Sequence, residues 1–414
     1  MKHILWTLLA TGFFYPQLLC AQPGNQTMMT NVVKMLESGQ ETVRIVCFGD
    51  SITGVYYHTG GRRAWCDMLG IALQRIYPNA KLDMINAGIS GNTTTAGLAR
   101  MEKDVLAHNP HLVVIMFGMN DCVNTKPESF RENLKKMVQR TRKTDAEAVL
   151  CTPNSIYPED PRRLQHLAEY AEIVRKAATE MSAPLADCYR AYEDLRAANP
   201  AEWKLLMSET IHPGMNGHKL FAEVIAQTIS GKRVKLDDVG PPSPTLSFTF
   251  DRLLEKQPLS VIAMPPYDRL VPDALRKIHP DAVINVTPWP ASPGPLRAIE
   301  EWSKGVRARK PNLVVVAVPG EADAPSEEQF IRSYNWILDY ALAFGRQEWD
   351  VIAVLPSVTE PGGTSPREPL ARRVILSKDI GFVERPAGDS SPPEAILSRW
   401  IQEQYKLYTT PDKN

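Results

Sequence analysis

Four apolar or β-branched side chains, Val43, Ile45, Val46 and Phe48, lead straight into Gly49-Asp50-Ser51. Such a run reads as a buried strand that ends by turning sharply at a serine. A hydrolase places its nucleophile there, because the carboxyl end of a parallel strand opens into the ligand crevice and a glycine lets the backbone approach substrate. The competing reading is an ordinary strand-to-helix turn in which Ser51 caps the next helix. Three further stretches carry small and polar residues: Asn86-Ala87-Gly88-Ile89-Ser90-Gly91, Phe117-Gly118-Met119-Asn120-Asp121 and Glu209-Thr210-Ile211-His212-Pro213. The first two follow strand-like runs and the third precedes a helix. Parallel strands present their carboxyl ends together, so all four stretches are expected to converge on one crevice.

The elements that must position them alternate along the chain. Strands are expected over residues 43–48, 81–85, 111–117, 148–152 and 184–186, with helices near 64–76, 95–108, 128–142, 161–181 and 216–229. This rhythm implies an α/β fold with a parallel sheet covered on both faces, doubly wound with right-handed crossovers. The texture then changes to Gly240-Pro241-Pro242-Ser243-Pro244, which neither a helix nor a central strand absorbs. Beyond it the alternation resumes.

With these blocks in order, residues 44–229 resemble the SGNH hydrolases, also called the GDSL esterase and lipase family. The resemblance rests on Gly49-Asp50-Ser51, Gly88, Gly118-Met119-Asn120-Asp121 and His212-Pro213. It implies the flavodoxin-like SGNH hydrolase fold and a serine esterase that uses no cofactor or metal. Ser51 would be the nucleophile and His212 its base, since an imidazole with a reference pKa of about 6.5 exchanges protons near neutrality. The family's oxyanion donors fall on the Ser51 N–H, the Gly88 N–H and the Asn120 side-chain amide. The third triad member departs from the family pattern: where an aspartate is usual, three residues before the histidine, this chain has Glu209. A glutamate can still accept the imidazole N–H. The alternative is a surface carboxylate, with water or a backbone carbonyl orienting His212. Asp50 and Asp121 read as acceptors that shape loops. His218 reads as a helix-face residue, and His58, His108 and His111 have no partner pattern. Ser90, Asn92 and Thr93 either touch substrate or belong to turn chemistry.

The 414 residues exceed what one core usually serves, which suggests two domains, or three. The 47 basic and 47 acidic side chains cancel, so no global charge invites nucleic acid or an anionic membrane. Lys2 and His3, an apolar run over residues 4–15, Pro16 and Ala21 read as an export signal over residues 1–21. A periplasmic or extracellular location follows, with no integral membrane segment after cleavage. Leu19 stands before Cys20 where bacterial lipoproteins carry a small residue, which argues against a lipid anchor. Cys47, Cys66, Cys122, Cys151 and Cys188 remain, an odd and scattered set that is no disulfide framework.

The expected organisation is a signal over 1–21, a hydrolase domain over 22–239, a proline-rich linker over 240–247 and a second α/β domain over 248–414, packed against the first. The second half reads as a degenerate copy. Pro311-Asn312-Leu313-Val314-Val315 repeats Pro110-His111-Leu112-Val113-Val114, 311 against 110, and Phe330 and Pro356 repeat Phe130 and Pro153 at nearly the same shift. It lacks the chemistry: Gly88 falls on Trp289, Asn120 on Glu321, and Pro265-Pro266-Tyr267 replaces Gly-Asp-Ser. The favoured function is deacetylation of a carbohydrate ester, with Tyr56, Tyr57 and Trp65 as a sugar-stacking wall or as packing against the sheet. The alternatives are a glycan-binding or scaffolding protein with vestigial catalysis, using exposed members of Trp289, Trp302, Trp336 and Trp349, and a lysophospholipase- or thioesterase-like lipid hydrolase.

Overall fold

The apolar run before Ser51 is a strand, β1 (Thr42–Gly49), in which residues 45–48 are all fully buried. The computed structural model describes residues 29–290, 295–360 and 365–410, and the expected signal over 1–21 lies outside the described residues. β1 pairs in parallel with β2 (Lys81–Gly88) on one side and β3 (Leu112–Met116) on the other; β4 (Glu147–Cys151) and β5 (Leu185–Ala186) extend the sheet. The order β2-β1-β3-β4-β5 is that of a flavodoxin-like doubly wound sheet. Every residue of β1 from Ile45 on and all of β3 are buried. Helices cover both faces, so the strands read as continuous apolar runs rather than alternating ones.

Register brings the loops together. Gly49 lies opposite Gly88 on β2 and opposite Met116 on β3, so three strands end at one level beside the point where the winding reverses. The fourth stretch arrives through helix Met215–Ser230, which packs against helix Trp65–Ile76 and closes one side of the sheet. Among the described residues the five cysteines are free and buried.

A second five-stranded parallel sheet comprises β6 (Leu259–Ala263), β7 (Ile284–Pro288), β8 (Leu313–Val316), β9 (Asp350–Val354) and β10 (Phe382–Val383). Its order, β7-β6-β8-β9-β10, matches the first. Details recur as well. The Arg44 N–H in β1 donates to the His111 side chain at 2.9 Å, and the Ser260 N–H in β6 donates to the Asn312 side chain at 2.8 Å. The acid that opens the fourth strand of each sheet accepts an N–H near the start of the helix before the first strand: Val32 to Glu147 at 2.9 Å, Thr249 to Asp350 at 2.7 Å. Pairing of Ile45 with Leu112 and of Val261 with Leu313 lays Ser51 on Tyr267, which is buried and opens helix Tyr267–Ile278. Each sheet has its own apolar cluster, and Leu205 from the first half packs into the second cluster. Among the described residues no helix is long and apolar enough to cross a membrane.

Asp121 ties the loop after β3 to the helix that follows β2. Its buried carboxylate accepts the Thr94 N–H at 2.9 Å and the Thr94 hydroxyl at 2.6 Å, at the first residue of helix Thr94–Asp104. Asp121→Ala orphans a buried backbone donor and is expected to cost about 2–3 kcal/mol. Urea unfolding at neutral pH measures it; a cost within a few tenths would mean water replaces the carboxylate.

Candidate active site

After β1 the chain makes a tight turn, not a helix. The Asp50 carbonyl accepts from the Thr53 and Gly54 N–H groups at 3.2 and 3.1 Å, and Asp50 Oδ1 accepts the Ile52 N–H at 3.0 Å. The next α-helix begins only at Trp65, so Ser51 caps nothing. Gly49 tolerates no side chain, since a Cβ would collide with Thr53 Oγ1 and the Met116 carbonyl. Ser51 is 8% exposed, and its Oγ lies 2.8 Å from His212 Nε2.

The other ring nitrogen of His212, Nδ1, is hydrogen-bonded to Glu209 Oε1, which also accepts the His212 N–H at 2.8 Å. Glu209 Oε2 takes the Ile211 N–H at 3.3 Å. The longer side chain therefore fits by folding back onto its own loop. Burial opposes ionisation of Glu209, but the hydrogen bonds and charge of His212 outweigh it and hold the carboxyl below its usual range. An ionised acceptor at Nδ1 fixes the proton there and leaves the Nε2 lone pair facing the Ser51 hydroxyl.

The second loop differs from expectation in one residue. The Gly88 N–H donates to Asn86 Oδ1 at 3.0 Å, and a Cβ on Gly88 would collide with the Gly54 N and lie 2.6 Å from the Thr53 carbonyl carbon. Gly88 is a glycine because β2 packs against the Ser51 turn, and its N–H is already used. Farther along, Asn92 N–H donates to the Ile89 carbonyl at 3.2 Å and closes a turn with Gly91 at φ +73°, a position that favours glycine. The N–H groups of Ile89 and Ser90 go to the Gly49 carbonyl and Tyr56 Oη. The Gly91 N–H, at the turn beside Ser51's loop, has no hydrogen-bond partner among the described residues. Its signal in the sequence was the glycine ending Ile89-Ser90-Gly91, past the strand rather than at its last residue. Asn120 donates from Nδ2 to the Asn92 carbonyl at 3.1 Å and, at a long 3.4 Å, to Asp50 Oδ2, which joins the first three loops.

His58 carries no motif, yet its ring stacks on His212 with centroids 3.8 Å apart and planes 10° off parallel. Burial, then the neighbouring His212 and Lys378, pushes its pKa well below the ordinary value, so the ring is neutral. His58, Glu209 and His212 bring possible ligand atoms within 4.8 Å of one another. The two rings are nearly parallel, so their lone pairs lie in separate planes and one ion cannot be in both. His218 accepts the Trp65 N–H at 2.9 Å and is driven down to about 3 by burial; it is a core histidine. His111 serves the far end of the sheet through Arg44. Trp65, Trp289 and Trp349 are buried and offer no surface, whereas Trp336 is half-buried. Trp302 packs on Trp289 at 4.5 Å.

The sequence profile of the GDSL-like lipase/acylhydrolase family matches residues 47–220, the segment that holds all of these groups. Residues 47–220 belong to that family. An acetylxylan esterase from Geobacillus stearothermophilus is 29% identical over 177 residues, 39% of this chain and 79% of that protein. The crystal structure of Axe2, an acetylxylan esterase from the same organism, aligns with 47% of this chain and 97% of its own at 26% identity, with a TM-score of 0.40. An arylesterase from Vibrio mimicus is 26% identical over 193 residues, 46% of this chain and 90% of that protein. An uncharacterized lipoprotein from Bacillus subtilis is 28% identical over 203 residues, 42% of this chain and 81% of that protein. The chain is a hydrolase of ester bonds, and the family match ends at residue 220, before the second sheet.

Burial pushes the Asp50 carboxyl up to about 7, aided by Asp121 and opposed by the Ile52 N–H and His212. The folded chain then holds a proton that the unfolded chain has lost. The stability this gives is complete below the unfolded value near 4 and is lost as pH rises through about 7. Asp50→Asn is expected to remove a decline of roughly 1 kcal/mol per pH unit between about pH 5 and 7. Paired urea titrations read the slope; an unchanged slope would show that Asp50 ionises freely in the fold.

Proposed function

We propose that this chain is an exported serine esterase that removes acetyl groups from carbohydrate. The observation that carries the catalytic part is Ser51 Oγ at 2.8 Å from His212 Nε2, with Glu209 on the opposite ring nitrogen. Ser51 Oγ attacks the ester carbonyl while His212 Nε2 takes the hydroxyl proton. The carbonyl electrons move to oxygen, and the oxyanion is met by the N–H groups of Ser51 and Gly91 and by the Asn120 Nδ2 hydrogen that otherwise makes only the long 3.4 Å contact to Asp50 Oδ2. Gly91 replaces Gly88 in this role because its N–H is unpaired. On collapse the alcohol leaves with the proton from His212, and water repeats the sequence on the acyl-serine.

The acetyl-carbohydrate preference is supported by the acetylxylan esterase among the relatives and by aromatic side chains near the serine. Tyr56 and Tyr57 are half-exposed, and Phe344 of the second half, 58% exposed, lies against both. A lipid or thioester substrate is the second reading, consistent with the family's lipase members. Export rests on residues 1–21. The second half reads as a degenerate copy, supported by the shared strand order, the recurring hydrogen bonds and a buried tyrosine in place of the serine.

On p-nitrophenyl acetate, Ser51→Ala is expected to lower kcat by at least about a thousandfold and Glu209→Gln by about a hundredfold or more. Equal rates for Ser51→Ala and the parent would end the esterase assignment of this serine. Acetate release from acetylated xylo-oligosaccharides, set against hydrolysis of p-nitrophenyl palmitate, separates the two substrate readings.

A further inference from the structure

Three consecutive residues of the second half grip both loops that support His212. Ser377, Lys378 and Asp379 end helix Glu368–Ser377 and begin the turn toward β10. On the histidine side, Ser377 Oγ donates to the Leu205 carbonyl at 3.1 Å, and a Cβ on Gly214 would lie 2.5 Å from that same Oγ. Lys378 Nζ donates to Ser208 Oγ and to Asp339 Oδ1, the latter at 2.5 Å, with Lys378 and Asp339 wholly buried. Ser208 Oγ in turn lies 3.2 Å from both Asp339 oxygens. Ser208 immediately precedes Glu209, and its own N–H donates to the His212 carbonyl at 2.9 Å.

On the serine side the same turn holds residues 57–63. Asp379 accepts from Arg63 Nε at 2.9 Å and from Arg63 Nη2 at 2.6 Å, a bidentate pair in which Asp379 is 2% exposed. The Lys378 carbonyl sits 2.5 Å from where a Gly60 Cβ would be. Nearby, the Tyr57 N–H donates to the Phe344 carbonyl and the Gln347 N–H to the Gly61 carbonyl. His58, whose ring lies flat on His212, is inside this gripped segment. Asp379 itself adopts φ +56°, a left-handed turn conformation that aspartate and asparagine enter more readily than most side chains. A buried ion pair is a poor way to gain stability, since desolvation cancels most of its attraction.

We infer that Ser377-Lys378-Asp379 is a positioning clamp for the hydrolytic reaction: it fixes His212 from its Glu209 edge and from its His58 face at once. The second half, which has lost the serine turn, serves the site of the first. This rests on the Ser51–His212 reading above. A fixed imidazole matters because a displacement of about 1 Å at a reacting group costs on the order of a hundredfold in rate.

The test uses the full chain on p-nitrophenyl acetate at 25 °C, with reactive serine counted by a fluorophosphonate label. Asp379→Ala and Arg63→Ala are each expected to lower kcat per labelled serine by about tenfold to a hundredfold, with KM nearly unchanged. The double variant should be no slower than either single one, because both remove the same link. Asp379→Asn, which keeps an acceptor and tolerates positive φ, should restore most of the rate. Should Asp379→Ala not fold, Ser208→Ala removes only the hydroxyl on the histidine side and is expected to show the same loss in kcat. A lowered Tm with kcat per labelled serine unchanged in Asp379→Ala and Ser208→Ala overturns the clamp. If Ser51→Ala is inactive while those variants are not, the clamp alone fails; if Ser51→Ala keeps the parent rate, the triad reading fails with it.

Discussion

The hydrogen bond between His212 Nδ1 and Glu209 decides which ring nitrogen faces Ser51. Without an ionised acceptor at Nδ1, the imidazole proton is free to occupy either nitrogen, and a proton at Nε2 would leave no lone pair for the serine. The rest of the site is arranged around keeping that bond in place and its members still. Glu209 is bound by two N–H groups of its own loop, His58 covers the ring face, and the winding of the sheet delivers Ser51 to the other side. A glutamate in place of an aspartate changes the path of the side chain and not the contact it makes.

Much of this was legible in the residues. β3 declares itself by an unbroken apolar run and β1 by the run from Ile45 to Phe48 past Arg44, a pattern that a strand covered on both faces requires. The turn at Ser51 and the three-residue spacing from Glu209 to His212 are local features, and the structure holds the turn and a hydrogen bond across that spacing. Gly88 misled because a glycine at a strand end has two possible reasons, and here the reason is contact with the Gly54 backbone. Telling it from Gly91 requires knowing which N–H groups are spent. His58 left no trace because stacking on His212 joins positions 154 apart in the chain, 58 and 212, with no spacing rule between them.

The two halves show how a shared architecture separates scaffold from chemistry. Strand order, the side chain that pins the first strand, and the acid that anchors the leading helix recur in both. These are demands of the sheet itself. The carboxyl edge is under no such demand, and there the second half buries Tyr267 and spends its polar groups on its neighbour instead.

The five buried thiols have a consequence of a different kind. Burial pushes Cys47 and Cys188 far above the usual thiol range, and the five cysteines among the described residues are shielded by packing rather than paired. In the oxidising compartment proposed for this chain, an oxidant meets them only before the sheets close or when they open. Folding speed is then the redox defence: a chain that lingers unfolded after crossing a membrane can trap itself in non-native disulfides, while one that closes promptly carries its thiols reduced for as long as it stays folded.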